Sequence, residues 1–159
     1  MPTVRLSFSP APAHVRTARL VAVAVARRIG VPEELLEEIR LAIGEACSRA
    51  VALHRSRGLD ALIETVMGDG DRFTVTVTDR ASNGSAVVGS PSDPGLFLVE
   101  PVVPLTVTPE TLSEEDLAER MGLALLAGLV DDLTVRPAKD GPGTDVCMSW
   151  PVGGLRAAG

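Results

Sequence analysis

"ALIETVMGDGDRFTVTVTD", residues 61–79, decides how this chain is built. Two runs rich in Ile, Val and Thr flank "GDGD", and short strands joined by a Gly/Asp turn form a β-hairpin. In the second run Phe73, Val75 and Val77 alternate with Thr74, Thr76 and Thr78. One face of that strand is apolar and the other polar, the pattern of a sheet with a core on one side and water on the other. Something apolar must therefore lie over the first face.

The residues before the hairpin supply it. From about Ala13 to Ile29, apolar residues recur at Ala18, Val21, Ala22, Val25 and Ile29, which is a helical stripe, with Arg16, Arg19, Arg27 and Arg28 around it. Gly30 ends this helix, and "VPEELLEE" opens a second with proline and acidic residues in its first turn, where they suit the helix dipole. The second helix is expected from Glu33 to Arg55. Leu35, Ile39, Ala42, Ala46 and Ala50 line one side of it, and Leu36, Ile43, Cys47 and Val51 widen the stripe. Ahead of both, "VRLSFS" alternates as a half-buried strand with Val4, Leu6 and Phe8 on one face.

Beyond the hairpin, residues 80–113 carry Pro91, Pro94, Pro101, Pro104 and Pro109. A connection of that length is expected to be a lid or binding loop. Its segment "GLFLVEPVVPL" is apolar enough to pack on something. Ser113, with Asp116 three residues later, is placed to cap a third helix. "DLTVRP", a "KDGPG" turn and "TDVCMSWP" form a second hairpin. The expected order is β-α-α-β-β-lid-α-β-β: a single domain over 1–152 and a flexible tail at 153–159. Five strands joined mostly by hairpins and three helices make an α+β protein, a two-layer sandwich with helices covering one face of a mostly antiparallel sheet.

Composition narrows the function classes. The net charge of −6 argues against direct nucleic-acid binding, because a phosphate backbone asks for basic surface. Cys47 and Cys147 give neither a disulfide framework nor a metal-ligand spacing, and His14 and His54 read as surface residues. Both cysteines are expected in the core. No leader pattern or membrane-length apolar run is present in the sequence, so a cytoplasmic protein without membrane contact is expected.

Four stretches in order resemble the bacterial anti-sigma-factor serine/threonine kinases, relatives of the histidine-kinase-like ATPases with a Bergerat fold. They are "LAIGEACSRAV" (41–51), "VTVTDRASNG" (75–84), "RMGLALL" (120–126) and "GTDVCMSWP" (143–151). The resemblance spans nearly the whole chain. It implies that Glu45 matches the general base on the second helix, Asp79 the aspartate that reads the adenine amino group, and Gly84 and Gly122 glycines near the nucleotide. It further implies a homodimer whose partners are a sigma factor and/or a STAS-domain antagonist, which active members phosphorylate on serine.

Four positions depart from the family pattern. Arg49 stands where an asparagine would hold Mg²⁺, Ala81 stands at a glycine position after Asp79, and Met121 and Ala124 replace residues of a glycine-rich stretch. A guanidinium has no acceptor atom and stays protonated, so it cannot ligate a cation. Two roles remain for Arg49. The preferred one is an ion pair with Glu45 one turn earlier, worth about 0.2–0.5 kcal/mol if exposed; the other is direct contact with nucleotide phosphates. Without the resemblance, Glu45 reads as a solvated glutamate, Asp79 as a turn opener and Gly122 as a helix-packing residue. The expectation is a regulatory binding protein in which kinase activity is lost, Mg²⁺ is not held and ATP binding is open. The alternative is an active ATP-dependent protein serine kinase, with Glu45 as base and Asp93 or Glu100 anchoring the metal.

Overall fold

The computed structural model describes residues 3–68, 70–81, 123–130 and 132–153. Their elements are β1 (Thr3–Phe8), α1 (Pro12–Ile29), α2 (Glu33–Ser56), β2 (Ile63–Gly68), β3 (Arg72–Asp79), α3 (helical residues 123–129), β4 (Asp132–Pro137) and β5 (Thr144–Pro151). Most of the expected lid, with "GLFLVEPVVPL", and the Ser113 cap lie outside the described residues, as does the tail from residue 154.

The five strands form one antiparallel sheet in the order β1-β2-β3-β5-β4. Register follows from burying alternate residues: a slip by one would turn every apolar side chain to water. Val4, Leu6 and Phe8 sit opposite Met67, Thr65 and Ile63, and Phe73, Val75 and Val77 sit opposite Trp150, Met148 and Val146. These side chains point to the helical layer. The other face carries Thr74, Thr76 and Thr78 beside Asp145, Cys147 and Ser149. This is the α+β two-layer architecture expected from the strand periodicity.

Helix α2 is the inner element. Ile39, Ala42, Ile43, Ala46, Cys47 and Ala50 are completely buried along it, and α1 packs on it through Ala18, Ala22 and Ala26. The small alanines let the two backbones approach closely. Gly30 closes α1 in the left-handed conformation at φ 95°, with its N–H and that of Val31 satisfying the last carbonyls. Leu123, Leu126 and Val130 bring α3 into the same core. Gly153 donates its N–H to the Gly30 carbonyl, which ties the segment after β5 to the end of α1.

Two placements correct the sequence reading. His54 is fully buried rather than on the surface, and Cys147 lies half-buried on the polar sheet face, where it accepts a bond from Thr76 Oγ1 at 3.6 Å. Strand alternation put Cys147 on the Thr side, and a β-strand cysteine there cannot be core.

Cys47 is core, and burial pushes its thiol up to about 12 while the nearby Arg19 guanidinium pulls in the opposite direction. A thiol that ionises later in the folded state than in the unfolded one holds its proton in the native protein. Its stabilising contribution is thus complete below the ordinary thiol value of 9.0 and is lost as pH rises toward about 12. The slope is at most about 1.4 kcal/mol per pH unit. Chemical denaturation from pH 8 upward is expected to show this loss in the native sequence and a shallower one in Cys47→Ala; equal slopes would refute it.

Candidate functional site

The C-terminal half of α2 passes beneath the end of β3, and there the structure brings two of the singled-out residues together. Arg49 and Asp79, thirty positions apart in sequence, form an ion pair with Nη1 to Oδ2 at 3.0 Å. Their side chains are 4% and 0% exposed. The i to i+4 pair with Glu45 is replaced by this cross-element pair. The reason is orientation: position 49 lies on the buried side of α2, whereas Glu45 is only half-buried. A cation at that depth needs a buried carboxylate, and the end of β3 provides one.

Asp79 does more than open a turn. Its second oxygen, Oδ1, accepts the backbone N–H of Ala81 at 3.0 Å, so each carboxylate oxygen already receives a bond. Ala81 itself is buried, and no described non-glycine residue has positive φ, so the backbone here does not require the glycine of the family pattern. Gly84 and Gly122 lie outside the described residues, as do Met121, Asp93 and Glu100; Ala124 is exposed on α3.

Three residues that the sequence reading did not assign to the site build its floor. His54 receives the Arg80 N–H at Nε2 (2.9 Å), which leaves the proton on Nδ1 to bond the Ala61 carbonyl at 3.0 Å. One imidazole thereby ties the end of α2 to the segment before β2 and to the chain leaving β3. Arg57 Nη1 donates to the Ala81 carbonyl. Gly143 lies so close to the Asp79 carbonyl that a Cβ there would collide with it, and its φ of 115° also excludes a side chain. His54 was legible in principle: it stands three and four positions after Val51 and Ala50, on the apolar stripe.

Among the described residues no cluster of three or more His, Cys, Asp or Glu is arranged to hold a metal, and no helix is long and apolar enough to cross a membrane. The site as described is thus a buried guanidinium–carboxylate pair held by backbone bonds, with Glu45 one helical turn before the arginine.

Removing one member of a buried pair leaves the other desolvated, which costs about 3–5 kcal/mol, whereas removing both charges is far milder. Arg49→Met is therefore expected to lower stability by about that amount in urea unfolding. Arg49→Met with Asp79→Asn, which keeps an acceptor for Ala81, should recover most of it. Strictly additive losses would show that the two side chains do not act as a pair. Gly143→Ala is expected to be the more damaging change, because both its backbone conformation and the contact with Asp79 forbid a methyl group; a melting temperature within a degree or two of the parent, about 0.5 kcal/mol, would contradict the close approach.

Comparison with curated proteins finds no significant match to an individual protein. The sequence does match the profile of the histidine kinase-like ATPase domain over residues 8–150, from the last residue of β1 to the penultimate residue of β5. That match takes in every described helix, β2 to β4 and both members of the buried pair, and with the five-stranded antiparallel sheet under its helices it shows that the chain belongs to the histidine kinase-like ATPase domain family.

Proposed function

We propose that this protein is a regulatory binding protein of the anti-sigma type, which holds a sigma factor and/or a STAS-domain antagonist and has lost phosphoryl transfer. The observation that carries the reading is the buried Arg49–Asp79 ion pair. Nucleotide chemistry in this family resemblance asks for a metal anchor at position 49 and an adenine acceptor at position 79. Here the first is a cation and the second is its counter-ion.

The residues present do not fit Mg-ATP. Magnesium takes oxygen ligands in a demanding octahedral arrangement, and a guanidinium offers none. A guanidinium at that position also adds positive charge where a divalent cation would have to sit. An adenine amino group would have to compete with Arg49 for Asp79 Oδ2. Phosphoryl transfer depends on metal placement and in-line geometry, so Glu45 without that anchor has no aligned reaction to serve. What the fold retains is a rigid scaffold. The edge strand β1 and the arginine-bearing α1 remain as surfaces for a second copy or a partner.

Titration with ATP, with and without Mg²⁺, followed by thermal melting tests the reading. A ligand at about one hundred times its dissociation constant stabilises the native state by about 2.7 kcal/mol, a shift of several degrees. No magnesium-dependent shift and no transfer of labelled phosphate to a STAS-domain antagonist are expected. Arg49→Asn should be less stable when unliganded, yet gain a magnesium-dependent shift. Labelled antagonist with the native sequence would overturn the proposal.

A further inference from the structure

The outer seam of the helical hairpin carries a feature the nucleotide pocket does not use. Where α1 crosses α2, Gly44 has no side chain, and the Arg19 guanidinium occupies the space a Cβ would take. Two cavities open there, of about 440 Å³ and about 330 Å³. Arg16, Arg19, Ser48 and Arg55 line the first; Arg16, Arg19, Leu20 and Arg40 line the second. The two shared arginines make them one groove along the helix pair.

The charges of this groove are unspent. Arg27, Arg49, Arg72, Arg80 and Arg136 each face a carboxylate, but among the described residues Arg16, Arg19, Arg40 and Arg55 form no ion pair. Arg19 Nε is also buried without a hydrogen-bond partner. The cluster stands out in a chain of net charge −6. At one end Leu20 and Leu41 are 63% and 53% exposed, and Leu41 shares the α2 face of Gly44 and Ser48.

We infer that the α1–α2 groove docks an acidic amphipathic helix of a protein partner, its carboxylates on Arg16, Arg19, Arg40 and Arg55 and an apolar anchor on Leu20 and Leu41. Arg40 and Arg55 lie about four turns apart, roughly 22 Å along the axis, so the matching segment has about 15 residues. A helix laid in the seam of two others is an established recognition geometry, read through anchors at helical spacing. A second copy related by a two-fold axis through this face would set arginine against arginine. Nucleic acid and anionic lipid offer the charge, but the acidic remainder of the protein repels an extended polyanion beyond the groove. The inference rests on the partner-binding reading and names the partner's chemistry; it does not depend on the state of the Arg49–Asp79 pocket.

The test is fluorescence titration with a labelled helical peptide of about 16 residues, glutamate on one face and leucine on the other. Binding that weakens with salt, and falls about tenfold or more with Gln in place of Glu or in Arg16→Glu/Arg55→Glu, is the expected result. Arg16 and Arg55 are exposed, so that variant should melt as the parent does; the milder Arg16→Gln/Arg55→Gln pair carries the same test if it does not. Equal affinity for the uncharged peptide, or no effect of either variant, overturns the inference. Tighter binding to phosphatidylglycerol vesicles or to duplex DNA than to the peptide overturns it as well. The nucleotide titration reads the pocket and the peptide titration reads the groove, so failure of the inference is distinguishable from failure of the functional reading: a charge-reversed protein that still captures a sigma factor or antagonist loses the groove and keeps the function.

Discussion

The buried ion pair between Arg49 and Asp79 is the constraint around which this domain is arranged. A guanidinium almost without solvent contact is tolerable only beside a carboxylate, and a carboxylate at that depth only with its remaining acceptor sites engaged. Asp79 meets that condition with the Ala81 N–H, and Ala81 in turn is held through its carbonyl by Arg57. His54 secures the intervening Arg80, and Gly143 brings β5 against the same peptide. The end of β3 is thus bolted to α2 from several directions. Each of those bonds has its meaning through the pair at the centre.

The same pair bears on what the domain does. Belonging to the histidine kinase-like ATPase family carries an expectation of a nucleotide pocket at this junction of helix and strand. In the proposed reading, the fixed positive charge of Arg49 takes up the carboxylate that a nucleotide would otherwise meet. The pair joins α2 and β3 directly. A junction held by the protein's own side chains accords with the proposed role as a binding scaffold. The arginine groove on the outer helical seam lies on the opposite side of α2, and the two regions have separate chemistry.

The sheet and the first two helices were legible because their signal is local. Period-two alternation in residues 72–78 decides which face of β3 is buried, and the stripe through Ile39, Ala42, Ala46 and Ala50 decides the inner face of α2. Gly30 closes α1 for a reason internal to four or five residues. The partners of charged side chains are a different matter. Arg49 has Glu45 within reach on its own helix, and helical spacing alone favours that contact. Burial overrules it, since position 49 faces inward and the carboxylate inside comes from another element. Cys147 was misplaced because its residue type outweighed its position in the alternation, although that alternation was itself correct.

By itself, then, the sequence determined the element order, the apolar faces and the family motifs, because each is written in neighbouring residues and their periodicity. Only the tertiary structure decided that Arg49 closes on Asp79, that His54 is an internal clamp and that Arg16, Arg19, Arg40 and Arg55 converge on one seam. Those facts depend on which distant segments the packing of α2 against its neighbours brings within a few ångströms. Side-chain charge is local, but the dielectric around it and the partner it finds belong to the whole fold.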